Sequence, residues 1–149
     1  MDKIDRKILQ ILQVNARASL QEIGLQAGLS ASPCWERIRK MEQAGVIEGF
    51  TVRLNAQALG LNDTVMVQVT LDSHSDNTLE KFGETLAAIP EVVEAYLLSG
   101  EYDYLLRVAV KDTRDYERLL REKLYKIKGI RHSKSSFVLR TLKKADLPL

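Results

Sequence analysis

Two stretches of the chain carry side chains at spacings that could do chemistry. The first is Leu29–Phe50, LSASPCWERIRKMEQAGVIEGF. On a helical wheel advancing about 100° per residue, Cys34, Ile38, Met41 and Gly45 fall on one side. Ser32, Glu36, Arg39, Lys40 and Gln43 gather opposite, with Arg37 on the edge. One face is made to pack, and the other is polar and mostly cationic, which suits the major groove of duplex DNA. Ser32 lies near the helix N-terminus, where base contact is usual, whereas Glu36 would repel phosphate and favours a cytosine amino group. The plainer reading is a solvated helix with Glu36 and Lys40 paired at i,i+4. Trp35 either covers the flank of the domain or lies against sugar–phosphate, and packing is the role the wheel favours.

The second stretch is Ser99-Gly-Glu-Tyr-Asp-Tyr104. Gly100 permits an unusual backbone conformation and leaves an N–H open to a carboxylate, while Asp103 is an acceptor able to hold an ammonium group. Ser135 and Ser136 could add hydroxyl donors. Carboxylate and ammonium recognition together describe an α-amino acid. The alternative is an ordinary hairpin turn in which Asp103 caps backbone, and on the residues alone that alternative is favoured. Catalysis finds little support. His74 and His132 stand far apart with no Cys or carboxylate at ligand spacing, and there is no phosphate loop or nucleophile elbow. Cys34, the single cysteine, falls on a packing face and reads as a small hydrophobe rather than a redox sensor.

These stretches must be positioned by the elements around them. Asp2 and Asp5 start a first helix with Ile4, Ile8, Ile11 and Leu12 on one face, and Asn15–Arg17 breaks it. Ser19-Leu-Gln-Glu22 fits a capping box for a short second helix, packed through Leu20, Ile23 and Ala27 and ended by Gly28. Ser30 is placed to cap a third helix, Pro33 sits in its first turn and Gly45 stops it. Val46–Ile47 and Phe50–Leu54 around Gly49 predict a two-stranded wing. Residues 1–54 thus read as a winged helix-turn-helix, and 55–63 as a linker with one helical turn ending at Gly60.

From Thr64 the pattern changes to period two, with Val65, Val67, Val69 and Leu71 facing one way. A helix over 76–89 follows, closed by Pro90, then strands over 92–99 and 104–110. A second helix capped by Asp112 or Thr113 carries Tyr116, Leu119, Leu120, Leu124 and Ile127, and Ile130–Leu142 forms the last strand. The order β-α-β-β-α-β predicts a ferredoxin-like α+β sandwich over 64–142, with Met66, Leu105 and Ala109 on an uncovered sheet face that a second copy would cover. Residues 143–149 are expected to be a loosely ordered tail.

Composition adds little. Over 149 residues, 45% hydrophobic and 28% charged, the net charge is +2. Residues 1–55 carry eight Lys/Arg against six Asp/Glu, and residues 56–149 fourteen against fourteen, so the excess lies in the N-terminal part. No run is long enough to span a membrane and no targeting signal is evident, and a reducing cytoplasm is the expected setting.

The motifs IDRKIL, LSASPCWERIRKMEQAGVIEGF, LNAQALG and SGEYDYLL, spread over nearly the whole chain, resemble the Lrp/AsnC (feast/famine) family of transcriptional regulators. The resemblance implies an N-terminal winged helix-turn-helix and a C-terminal domain for regulation of amino-acid metabolism (RAM domain). It assigns double-stranded DNA contact to Ser30, Ser32, Pro33, Trp35, Glu36, Arg37, Arg39 and Lys40. It assigns an amino-acid effector, bound between dimers, to Leu98, Ser99, Gly100, Tyr102 and Asp103, with Ser135 and Ser136 held less firmly. It implies homodimers assembling to tetramers or octamers, association with the nucleoid, and neither cofactor, metal nor catalysis. An architectural DNA-binding protein of low sequence specificity is the alternative.

Overall fold

The computed structural model describes residues 1–149 apart from 74, 75 and 146, together with the backbone but not the side chains of 76–78. The chain forms two units, Met1–Arg53 with Lys143–Leu149, and Leu54–Leu142.

The first unit holds three helices: α1 (Lys3–Val14), α2 (Leu20–Ala27) and α3 (Ala31–Gln43). The expected caps form at the first two. Asp2 accepts from the Ile4 and Asp5 N–H groups at 2.8 and 2.9 Å, while its own N–H donates to Asp5 Oδ2 at 2.8 Å. Ser19 and Glu22 satisfy one another's backbone in the same reciprocal way. Ser30 stands at the cap position of α3, but its side chain makes no capping bond. The helices bury Ile8, Ile11, Ile23, Cys34, Ile38 and Met41 of the apolar stripes that the periodicity predicts, and Leu9 with them, while Ile4 and Leu12 pack at the edge of the core. Burial raises the Cys34 thiol, the direction expected of an inert buried cysteine.

Two expectations about this unit are corrected. The chain after α3 makes no wing of paired strands. Val46 and Ile47 donate back to the Met41 carbonyl at 2.8 and 3.2 Å, and only Ile47 of this segment packs on the core. Phe50, Val52 and Leu54 keep the alternation of a strand, yet they are exposed and pair with nothing in the sheet. Alternation states a preference for pairing, and pairing needs a second edge. Nor is the tail loose. Leu149 packs against the three-helix core, and Gln13 Nε2 donates to the Leu147 carbonyl at 3.1 Å.

The capping carboxylates set an acid limit on this unit. The Asp5 backbone N–H and then Arg37 hold the Asp2 carboxyl below its ordinary value, and the Ser19 backbone N–H does the same for Glu22. Groups with lowered folded values stabilise fully above their unfolded values, near pH 4, and lose that contribution as pH falls through the folded ones. Melting temperature followed from pH 6 to pH 2.5 should therefore drop below about pH 4, and Glu22→Gln should flatten part of the drop. An identical profile for that variant would remove the cap from the account.

The second unit opens with a 3₁₀ turn, Gln57–Leu59, ended by Gly60 as the linker sequence suggests. It continues as β1 (Asp63–Leu71), α4 (Asp76–Ala87), β2 (Val92–Leu97), β3 (Tyr104–Val110), α5 (Thr113–Glu122), a 3₁₀ turn Leu124–Lys126, and β4 (Ile130–Phe137). The sheet order is β2-β3-β1-β4, every pair antiparallel. One face buries Val65, Val67, Val69 and Leu71 of β1 with Tyr104, Leu106, Val108 and Val110 of β3 beneath Phe82, Leu86, Tyr116 and Leu119. Register places Met66, Leu105 and Ala109 on the other face, as the alternation requires. The last strand ends at Phe137, five residues sooner than its sequence suggests.

Candidate functional site

The outer face of α3 exposes Ser32, Pro33, Trp35, Glu36, Arg39, Lys40 and Gln43. Trp35 is 48% exposed, so it does not seal the flank of the domain. The Arg39 guanidinium lies 5.2 Å from the centre of its ring, a cation–π contact that restrains both long side chains on the helix surface. Together with Glu36, Lys40 and Gln43 they border a shallow groove. The aromatic plane and two cations on a rigid helix form a surface that takes phosphate and base edges.

Arg37 stands apart from this face. Its Nη1 donates to Asp2 Oδ2 and Asp5 Oδ1, both at 2.7 Å, and ties α3 to the N-terminus of α1. A guanidinium engaged by two carboxylates orients the helix rather than presenting charge to phosphate. Nothing in the local spacing signals this, because Asp2 and Arg37 are 35 residues apart. Arg37→Ala should weaken duplex binding and lower the melting temperature while leaving the salt slope of binding unchanged. Lys40→Ala should reduce that slope by about one. Anisotropy titrations across a salt series separate the two, and a reduced slope for Arg37→Ala would return it to the phosphate-contacting set.

The second constellation lies at one end of the sheet. Leu98 N–H donates to the Asp103 carbonyl at 2.8 Å, and Asp103 N–H to the Val69 carbonyl at 2.9 Å. The Asp103 carboxylate accepts from the Leu71 N–H at 2.7 Å, extending the β1–β3 ladder by one rung beyond Tyr104. The capping alternative is therefore realised, although on the neighbouring strand rather than within the turn. Ser99, Gly100 and Glu101 are exposed, with Tyr102 and Asp103 half-buried. Gly100 has φ +147°, a region that side chains disfavour.

The two serines are not brought to this turn. Ser135 pairs with Val67 and Ser136 with Met66, so they face opposite sides of the sheet, across β1 from β3. Ser135 Oγ is hydrogen-bonded to the Tyr116 hydroxyl on the helix side. One chain cannot use both at a single site with Gly100. His132 pairs with Thr70 on the face opposite the helices, and His74 lies outside the described residues. Among the described residues no group of three His, Cys, Asp or Glu side chains is placed to hold a metal, and no helix is long and apolar enough to cross a membrane.

A helix-turn-helix with a cationic third helix, followed by a βαββαβ domain with an exposed turn, defines a transcription regulator with a DNA-binding head and a ligand-binding body. Residues 1–42 match the AsnC-type helix-turn-helix domain, and residues 64–148 match the Lrp/AsnC ligand binding domain. The chain belongs to the Lrp/AsnC family of transcription regulators, which are not enzymes. It is 36% identical over 146 residues to the leucine-responsive regulatory proteins of Klebsiella pneumoniae and Escherichia coli K12, covering 98% of this chain and 89% of theirs. An AsnC family transcriptional regulator from Agrobacterium tumefaciens superposes with TM-score 0.94 at 40% identity, over 99% of this chain and 97% of that one. A transcriptional regulator from Neisseria meningitidis, solved as its L-Met complex, superposes with TM-score 0.93 at 32% identity, over 99% and 96%.

Proposed function

We propose that this regulator reads a specific DNA site through α3 and answers to a free α-amino acid held at Leu98–Asp103. The observation that carries the DNA half is the exposed α3 face, with Arg39 stacked on Trp35 beside Lys40. Ser32, Pro33, Trp35, Glu36, Arg39 and Lys40 form the reading surface, Ser30 opens the helix, and Arg37 sets its position. The effector half is supported by the exposed Gly100, whose positive φ favours glycine, in the turn that holds the Asp103 carboxylate, and by the methionine held by the Neisseria relative. Carboxylate would meet the open N–H groups at Gly100, and ammonium would meet Asp103, the usual pairing for an α-amino acid.

The opposite facing of Ser135 and Ser136 supports a site completed by a second copy. The sheet face bearing Met66, Leu105 and Ala109 suits a homodimer, and dimers would assemble further to a tetramer or octamer. Two α3 helices would then enter successive major grooves about 34 Å apart. Such a protein works on the nucleoid, in the cytoplasm, and needs no cofactor.

Thermal-shift screening of the twenty amino acids, joined to selection of duplexes from a random pool, tests both halves. One amino acid should raise the melting temperature, since binding to the native state stabilises it, and the pool should converge on a roughly palindromic sequence. A pool that binds without converging would favour an architectural role. No stabilisation by any amino acid would overturn the effector assignment.

A further inference from the structure

Charge is segregated within the second unit. Residues 54–120 carry five Lys/Arg against twelve Asp/Glu, whereas residues 121–142 carry seven against one. The near-neutral total conceals two strongly charged parts. Several groups of the acidic part are engaged within the unit. Glu91 takes Lys123 at 2.6 Å, Glu94 takes Arg107 at 2.6 Å, Asp115 takes Arg118, and Asp112 caps α5. Burial works against the Glu91 charge, yet Lys123 keeps its carboxyl below the ordinary value, so the pair is an internal commitment.

The basic part is not neutralised in the same way. Lys126, Lys128, Arg131, Lys134 and Arg140 are exposed, and none takes part in an ion pair among the described residues. They follow the approach to β4, the strand itself and the chain that leaves it, and β4 is an edge strand of the sheet. Lys134 shares the open face with Met66 and Ser136, on the side assigned to the second copy, while Arg131 sits at the bulge where pairing shifts between Thr70 and Leu71. Eight strand residues at about 3.3 Å each span about 26 Å, most of one turn of duplex DNA. Lys126 and Lys128 precede that strand, Arg131 lies in it and Arg140 follows it, so uncompensated cations flank a segment comparable in length with a run of phosphates.

We infer that the β4 edge of the ligand-binding domain is a second DNA contact, in which Lys126, Lys128, Arg131 and Arg140 bind duplex phosphates without reading sequence. The inference rests on the reading of α3 as the sequence-specific contact. Its role is affinity through counterion release, while selection among sites stays with α3.

The test uses the full chain and a duplex selected by it from a random pool, alongside a scrambled duplex of equal length. Binding is followed by anisotropy from 50 to 300 mM salt, with sedimentation on the same samples. The Lys126→Gln/Lys128→Gln/Arg131→Gln variant should shed about 0.9 of the log–log salt slope per contact, about 2.7 in all. It should weaken binding to selected and scrambled duplexes by the same factor and keep the wild-type sedimentation. A conservative set, Lys126→Arg/Lys128→Arg/Arg131→Lys, should retain the wild-type slope, which guards against misfolding as the cause. A wild-type slope in the glutamine variant would overturn the inference. A changed sedimentation at unchanged slope would overturn it too, giving the edge to the acidic surface of another copy. If the wild-type chain retains no duplex from the pool, the DNA reading of α3 is what fails.

Discussion

Gly24→Ala should destabilise the DNA-binding head and weaken its binding to DNA. Gly24 is buried in the middle of α2, and an added Cβ would lie 2.6 Å from the Leu29 carbonyl oxygen. That oxygen is backbone and cannot rotate away, and the Leu29 N–H donates to the Gly24 carbonyl at 2.8 Å. The α2–α3 turn would have to open, displacing the helix that carries Trp35, Arg39 and Lys40. Overpacking of this kind costs about 1–3 kcal/mol. For a unit of this size each kcal/mol moves the melting temperature by about 4–8 °C. Circular dichroism melts should show a loss of several degrees, and anisotropy a matching loss of affinity, while amino-acid binding at Leu98–Asp103 persists. A variant that melts with the wild type would show that the turn tolerates the displacement.

Gly100→Ala should suppress the response to the effector with little change elsewhere. No atom lies within 4 Å of where its Cβ would stand, so the cost is conformational rather than steric. A side chain at φ +147° carries strain of about 1–3 kcal/mol, and relaxing it would rotate the N–H groups that are to meet the carboxylate. If the bound state requires this backbone conformation, affinity in the variant falls by about ten- to a hundredfold. The thermal shift given by the stabilising amino acid should vanish at concentrations that saturate the wild type. DNA affinity without effector should be unchanged. A full shift in the variant would remove Gly100 from the site. Asp103→Ala is a poorer probe, because it also strips the Leu71 N–H of its acceptor and weakens the sheet.

The parts of the molecule set by local rules were legible in the sequence. Caps at Asp2 and Ser19, the helical stripe of Ile8, Ile11, Ile23 and Ile38, and the alternation of Val65 to Leu71 each arise from neighbours a few residues away. The α3 face emerged for the same reason, since one wheel sorts Cys34 from Arg39. What the sequence did not reveal was long-range. No neighbour of Arg37 announces the ion pairs it makes with Asp2 and Asp5. Nor does the adjacency of Ser135 and Ser136 show, until the strand is placed, that they face opposite sides of the sheet. Phe50–Leu54 shows that alternation can announce a strand without providing its neighbour.

The return of Lys143–Leu149 to the three-helix unit makes that unit discontinuous in sequence. Its core is completed by Leu149, separated from Ile8 by the whole of the second unit, and Gln13 holds the Leu147 carbonyl. Closing so long an intervening segment costs entropy before the contact repays it. The three-helix unit therefore takes its last apolar contact from across the second unit's sequence, and Leu149→Ala should lower its melting temperature.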